Sequence, residues 1–257
     1  MRNLNDLADA KRLIKLAIHA GRLQIKNGAE IYRAEDTVLR ICKSSQNVSK
    51  VDAHVLPSGI FVSLEFDEDI ITVYKSVGSS TTNMSKIDKI NTFSRNFVIS
   101  EMSLDAAFNT LNAIENENDV EAFKFDIYAG FCGAFFSVLF GGGFREFICA
   151  YIVTFATSML LRKIEPFKLN FVVTNFIGAF SISMLTALLY MLRLPKSIDE
   201  VIIGSIMILV PGLAATNAVR DIMNSDFLSG LIGLTKAIFI ALGIAIGVGL
   251  TLRLLRL

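Results

Sequence analysis

Residues 227–252 read FLSGLIGLTKAIFIALGIAIGVGLTL, a stretch in which Lys236 is the only charged residue. A bilayer core needs roughly 20 apolar residues per helix, so this stretch is long enough to cross a membrane. Three other uncharged runs are of similar length. A fifth, shorter run is long enough to cross the bilayer when the arginine side chains at its two ends extend to the interfaces. The sequence therefore predicts about five transmembrane helices, at residues 127–144, 145–162, 169–192, 200–219 and 227–252.

The composition of the whole chain agrees with a membrane protein. The 257 residues are 53% hydrophobic and 19% charged, and the mean hydropathy is +0.53, which is too apolar for an ordinary soluble domain. Of the 49 charged residues, 32 lie within residues 1–124. We therefore expect a membrane α-helical bundle at 122–257, preceded by a small cytoplasmic α+β domain at 1–121. The charged residues near the N-terminus leave no apolar core for a secretory signal peptide, which favours the cytoplasm for this domain.

The polar half of the chain alternates between two hydrophobic periods. Apolar residues at helical spacing predict helices at 4–27 and 28–41, and further helices are expected at 86–100 and 103–116. Apolar and polar residues alternate from Ile60 to Phe66, which is typical of a half-buried strand, and a turn at 67–69 leads to a second strand at 70–76. A third strand is expected at 77–83.

One predicted span contains a helix-breaking pair, Pro211 and Gly212. Proline removes a backbone donor and clashes with the preceding turn, so the helix should break there, either as a packing kink or as the start of a substrate site. Lys236 would cost about 2.5–3.5 kcal/mol in a bilayer, so it should face a cavity or pair with a carboxylate, with Asp221 and Asp226 nearest in sequence. The predicted substrate or ion pathway consists of Asn175, Pro211, Gly212, Asn217, Asp221, Asp226 and Lys236.

The sequence argues against several classes of chemistry. It has no paired-histidine zinc motif, no glycine-rich phosphate loop and no Gly-x-Ser-x-Gly elbow. Three widely spaced cysteines indicate neither disulfides nor a metal site, and a net charge of +1 offers nothing to nucleic acid. We therefore expect no enzyme activity, no metal and no cofactor, and any transport should draw on an ion gradient rather than on ATP.

Two motifs carry a family resemblance. The stretch GAEIYRAEDT at 28–37 and the stretch from Leu209-Val210-Pro211-Gly212 to Ser229-Gly230 together resemble the threonine/serine exporter (ThrE) family, with the closest likeness to its split, YjjP-like half. The order of parts agrees over essentially the whole chain. The resemblance marks Glu30, Arg33, Glu35 and Asp36 in the cytoplasmic motif, and Pro211, Gly212, Asn217, Asp221 and Asp226 in the membrane motif.

This resemblance implies a secondary exporter of small polar metabolites, typically threonine and serine, driven by the proton-motive force in the bacterial plasma (inner) membrane. Fused family members carry a second block of spans, whereas this sequence stops after the fifth predicted span. We therefore expect a separate small membrane protein, YjjB-like, to supply the other half, and we expect a homo-oligomer of this chain alone to be inactive. Two alternative functions stay open: export of a small dicarboxylate such as succinate with that partner, and a regulatory or scaffolding role.

We hypothesise a separate role for each of several pathway residues. The broken helix at Pro211-Gly212 would expose backbone groups that hold the substrate carboxylate, and Lys236 would supply the counter-charge. Asp221 or Asp226 would be the proton-coupled group. A site with one buried base and one acid suits an amino acid, which carries one anion and one cation.

Overall fold

A computed structural model describes residues 4–67, 69–78, 81–117 and 120–255. The chain forms two compact units. Unit 1 consists of the N-terminal half, up to Glu117, and the segment Leu213–Leu234. Unit 2 consists of the segment between these two, which ends at Gly212, and the C-terminal segment from Thr235. The elements in chain order are α1 (Leu7–Lys26), α2 (Ile31–Cys42), β1 (Val48–Leu56), β2 (Gly59–Phe66), β3 (Asp69–Ser76), α3 (Met84–Ile99), α4 (Leu104–Glu115), α5 (Ala122–Leu139), α6 (Phe144–Ile164), α7 (Phe171–Met191), α8 (Asp199–Ile206), α9 (Gly212–Met223) and α10 (Phe227–Leu255).

In unit 1, helices cover one face of a three-stranded antiparallel sheet with strand order β1-β2-β3. The inward residues of β2 alternate along the strand, as the period-two pattern predicted, and Ile60, Val62 and Leu64 are fully buried. They join the buried residues of α1, α2, α3 and α4 in one core. The strands predicted at 60–66 and 70–76 are confirmed as β2 and β3, and the four helices predicted in this half are confirmed as α1 to α4.

The third strand lies before the predicted pair rather than after it. It is β1, and Val55 faces Ile60 across the β1–β2 ladder. The strand predicted at 77–83 is absent from its described residues, 77, 78 and 81–83, while Ser79 and Ser80 lie outside the described residues. The physical reason is that the amides of this segment bond elsewhere: Thr81 N donates to Lys26 O, and Asn83 N donates to Asn27 O.

Unit 2 is a helical bundle. Among the described residues, four helices are long and apolar enough to cross a membrane: Ala122–Leu139, Phe144–Phe167, Phe171–Met191 and Phe227–Leu255. The chain is therefore a multi-pass membrane protein. The predicted span at 200–219 is divided into the short helices α8 and α9, so the helix break predicted at Pro211 and Gly212 is confirmed. The count of five spans stays a prediction.

The first span begins earlier than the sequence predicted. Helix α5 starts at Ala122 rather than at residue 127, so it includes Asp126, which is 1% exposed. Glycines then allow close helix packing: a Cβ added at Gly247 on α10 would lie 2.7 Å from the Phe176 carbonyl oxygen of α7. Small residues at such contacts are common where helices pack without a hydrophobic driving force.

Candidate functional site

The two motif segments meet inside unit 1, although about 190 residues separate them in sequence. Asn217 of α9 donates from its side-chain amide to the Gly28 carbonyl oxygen at 3.0 Å. Three residues further along α9, the Arg220 guanidinium pairs with the Glu30 carboxylate. Both Gly28 and Glu30 belong to the loop between α1 and α2. We call the group formed by Glu30, Arg33, Glu35, Asn217, Arg220, Asp221 and Asp226 the charged cluster.

Asp221 caps the start of α2 from a distant part of the chain. The residue at the N-cap position, Glu30, makes no side-chain capping hydrogen bond of its own. Instead, the Ile31 amide donates to the Asp221 carboxylate at 3.2 Å. The first amides of a helix have no partner within it and carry partial positive charge, so an anion there is stabilised. The docking of α9 thus satisfies a helix end that the local sequence leaves uncapped.

The environment of Asp221 makes it titrate near neutral pH. Its side chain is buried, with the residue 5% exposed. Burial raises the pKa of the Asp221 carboxyl to about 6, with further upward effects from the charges of Asp226 and Glu30, while the hydrogen bond from Ile31 opposes them. Asp221 can therefore gain or lose a proton within the physiological range.

Glu30 lies between two guanidinium groups. It is 8% exposed, and besides Arg220 it pairs with Arg33 at 3.1 Å. The two arginine side chains are about half exposed, at 46% and 49%. The guanidinium is always charged and matches carboxylate geometry, so a carboxylate of another molecule could compete with Glu30 for these groups.

Glu35 and Asp226 complete the acidic side of the cluster. Glu35 accepts a hydrogen bond from the Val55 amide at 3.3 Å. Burial raises the pKa of Glu35, whereas the hydrogen bond from Val55 and the charge of His54 lower it. The negative charge of Asp226 raises the pKa further, because the two carboxylates repel each other. The Asp226 carboxylate also accepts a bond from the Ser229 amide at the start of α10. Asp36, by contrast, pairs with Arg40 on the exposed face of α2.

The other predicted pathway residues have different surroundings in unit 2. The Asn175 side chain donates to the Phe171 carbonyl oxygen at 2.7 Å, one turn back on α7. Lys236 Nζ lies 5.8 Å from the centroid of the Phe171 ring, which is a cation–π distance. Pro211 lines an apolar groove of about 510 Å³, and Gly212 begins α9. The roles predicted for these four residues stay predictions.

Sequence reasoning missed two buried carboxylates in unit 2. Asp126 pairs with Arg162 at 2.5 Å, and it lies just before the uncharged run from which the sequence predicts the first span. Glu146, 4% exposed, accepts bonds from three backbone amides, those of Gly143, Lys196 and Ser197. An acidic residue within one turn of an apolar run was the available signal for both. No group of three or more histidine, cysteine or acidic residues that could hold a metal occurs in the described part of the chain.

Comparisons with known proteins add an independent line of evidence. A model of the threonine/serine exporter family matches residues 15–255, a range that includes both motif segments. The chain is also similar to a protein of Corynebacterium glutamicum named threonine/serine exporter, with 22% identity over 98% of this chain and 53% of that protein. The chain thus spans about half the length of this relative. No solved structure matches the chain.

Proposed function

Because the chain belongs to the threonine/serine exporter family, we propose that it is one subunit of a secondary-active exporter of threonine and serine driven by the proton-motive force. The family is one of transporters rather than enzymes. The observation that carries the proposal is the charged cluster, in which two half-exposed arginines and a buried, titrating carboxylate meet within the two motifs.

The cluster offers both charges that an amino acid needs. The substrate carboxylate would bind Arg33 and Arg220 in place of Glu30, since a guanidinium binds a carboxylate in the same forked geometry whichever molecule supplies it. The substrate ammonium would pair with Asp221 or Asp226. The sequence-based hypothesis instead placed the carboxylate at the broken helix with Lys236 as its counter-charge, and Lys236 lies over the Phe171 ring in unit 2.

The titration of Asp221 supplies a mechanism of coupling. With a pKa of about 6, the carboxyl exchanges its proton near neutral pH. The ionised form attracts the ammonium group of the substrate, and the protonated form does not, so a proton and the substrate compete for one group. This competition is the condition for antiport, in which proton entry drives substrate exit. A dicarboxylate lacks the ammonium group and would not compete with the proton at Asp221.

We further propose the setting in which this subunit works. The N-terminal α+β domain faces the cytoplasm, the spans cross the bacterial inner membrane, and a YjjB-like small membrane protein supplies the other half of the transporter. The resemblance of the two motifs to the split half of the family supports a separate partner.

An efflux assay tests the proposal. Cells are loaded with threonine-containing or serine-containing peptides, or with a succinate precursor, and carry this chain, its partner, or both. We expect threonine and serine efflux only with both proteins, and loss of efflux in Asp221→Asn and Lys236→Ala at unchanged membrane levels. Asp36→Asn is the matched control, because Asp36 is an exposed carboxylate paired with Arg40.

Three outcomes would contradict it. Normal efflux in both Asp221→Asn and Lys236→Ala removes the assigned site. Efflux of succinate alone replaces the substrate with a dicarboxylate. Full efflux by the partner alone leaves this chain a regulatory or scaffolding role.

A further inference from the structure

Unit 2 contains a buried ion pair that the proposed function does not use. Asp126 of α5 is 1% exposed and pairs with Arg162 of α6 at 2.5 Å. Ser158, one turn before Arg162, donates its hydroxyl hydrogen to the same carboxylate at 2.6 Å. Ionisable groups inside a membrane span are expensive, and those present usually line a route for ions, protons or substrate.

Buried hydroxyls continue from this ion pair along the bundle. Thr154 lies one turn before Ser158 on α6, and its hydroxyl sits directly against Gly133 of α5, where a side chain would overlap it. Helix α8 reaches the same turn of α5, since a Cβ added at Gly204 would lie 2.7 Å from the Gly133 carbonyl oxygen. The next residue, Ser205, is fully buried, as is Thr154.

These two hydroxyls lack protein partners. Within the described part of the chain, neither Thr154 Oγ1 nor Ser205 Oγ has a hydrogen-bond partner. A buried polar group without a partner costs about 1–3 kcal/mol, and a water molecule that reaches it removes that cost. We call Asp126, Ser158, Thr154 and Ser205 the polar seam.

Both ends of the polar seam approach solvent. At one end, the Arg162 side chain is 37% exposed. At the other end, Gly204 of α8 lies against the backbone of Ser137 on α5. The Ser137 carbonyl oxygen accepts a hydrogen bond from the Gly142 amide. Gly142 lines a pocket of about 480 Å³ whose other residues include Glu146 and Lys196. At about 1.5 Å of rise per residue, the helix from Asp126 to Leu139, the last residue of α5, spans about 20 Å, which is about two thirds of a bilayer core of about 30 Å.

We propose that the polar seam conducts protons through the bundle, with Asp126 as the proton-binding carboxylate. The contact between Thr154 and Gly133 leaves no room for an amino acid, whereas hydroxyls and water can pass a proton along hydrogen bonds. A proton that arrives at Asp126 converts the carboxylate to a carboxylic acid and breaks its ion pair with Arg162. It leaves to water at the exposed Arg162 end, and the ion pair forms again. The proposal rests on the proposed function, because proton-driven export requires a proton route.

The bundle offers a matched control for this role. Ser183 of α7 is also fully buried, but its hydroxyl is satisfied by the Ala179 carbonyl oxygen at 2.9 Å and by Thr251 at 2.8 Å. Ser183→Ala therefore removes a buried hydroxyl that has its partners. Thr154→Val removes a hydroxyl that has no hydrogen-bond partner among the described residues, with little change of shape, and Asp126→Asn removes the carboxyl that is proposed to bind the proton.

The test uses proteoliposomes that contain the full chain together with its partner and a pH-sensitive dye. Substrate-driven proton movement is measured beside exchange of labelled threonine without a pH gradient. We expect Asp126→Asn and Thr154→Val to reduce proton movement by about 100-fold, the lower range for loss of a positioned proton-transfer group. Threonine exchange should stay within about twofold, since the seam does not bind substrate, and Ser183→Ala should change neither.

The outcomes separate this proposal from the proposed function. Wild-type proton movement in Asp126→Asn and Thr154→Val, or an equal loss of exchange, overturns the polar seam and leaves the exporter assignment standing. If the wild-type protein exchanges neither threonine nor serine, the proposed function fails. In that case the polar seam is tested by proton uptake into the proteoliposomes under an imposed voltage. Uptake that Asp126→Asn abolishes supports the proton route, and no uptake by the wild-type protein overturns it.

Discussion

Lowering the pH should strengthen the docking of α9 on the start of α2. The group responsible is Asp221, whose pKa rises from 3.8 to about 6 when its carboxyl is buried against the first turn of α2. The docked state binds this proton more tightly than the undocked state does. The free energy of docking is therefore greatest below about pH 4, declines as the pH rises through about 6, and is constant above about pH 7.

The magnitude follows from the difference between the two pKa values. One pKa unit corresponds to about 1.4 kcal/mol, so the complete effect of Asp221 is about 3 kcal/mol. Most laboratory conditions sample only part of it. Between about pH 8 and about pH 5 the expected gain is about 1.4 kcal/mol, which is about tenfold in the docking equilibrium. Glu35, whose pKa is also raised by burial, changes stability in the same direction.

The Ile31 amide is the natural reporter, because its hydrogen bond goes to Asp221. Hydrogen exchange of this amide in the full chain, corrected for the intrinsic effect of pH, should be about tenfold slower at about pH 5 than at about pH 8. Asp221→Asn keeps a side-chain oxygen that can accept the bond but does not titrate, so most of the pH dependence should disappear. Asp36→Asn should retain it, because Asp36 is exposed. Equal pH dependence in Asp221→Asn and wild type, or slower exchange at the higher pH, would refute the reasoning.

Two further experiments test the packing of α9. Arg220→Glu should weaken its docking, and adding Glu30→Arg should recover part of the loss, with a coupling of about 1 kcal/mol for a pair that is partly exposed; thermal unfolding of the two single variants and the double variant measures it, and a coupling near zero would contradict the pair. Gly230→Ala should lower the free energy of unfolding by about 1–3 kcal/mol, because its Cβ would lie 2.7 Å from the Ala218 carbonyl oxygen. Gly249→Ala is the control, since a Cβ there meets no atom within 4 Å, and equal melting temperatures for the two variants would show that the α9–α10 contact is loose.

The elements that the sequence predicted well are those whose burial is local and periodic. Strand β2 alternates cleanly because one face lies on the core, with Ile60 and Val62 buried. Strand β1 was missed because only Val51 and Val55 are buried along it, and they are four residues apart, a spacing that fits a helix equally well. The uncharged run predicts a first span that begins after Asp126, whereas the ion pair with Arg162 allows Asp126 to lie inside the helix.

The charged cluster shows a different limit of prediction from the sequence. Each motif was visible in the sequence, and so were the acidic residues that belong to it. What no periodicity could reveal is that Glu30 and Arg220, 190 positions apart, pair with each other. Contacts of such long range depend on how the tertiary fold closes, and a single sequence contains no local signal for them.

The cap that Asp221 of α9 provides for α2 gives the charged cluster two states, one with α9 docked and one with α9 undocked. While α9 is docked, Asp221 satisfies the Ile31 amide and Arg220 neutralises Glu30. When α9 leaves, α2 loses its cap, which typically costs about 1 kcal/mol, and Glu30 keeps only its pair with Arg33. Protonation of Asp221 and the proposed binding of a substrate carboxylate to Arg220 would act on the same contacts in opposite ways, because the first strengthens docking and the second would compete with it. A ligand can shift an equilibrium only by its differential affinity for the two states, and under the proposed function the α2–α9 contact would provide that difference for both the proton and the substrate.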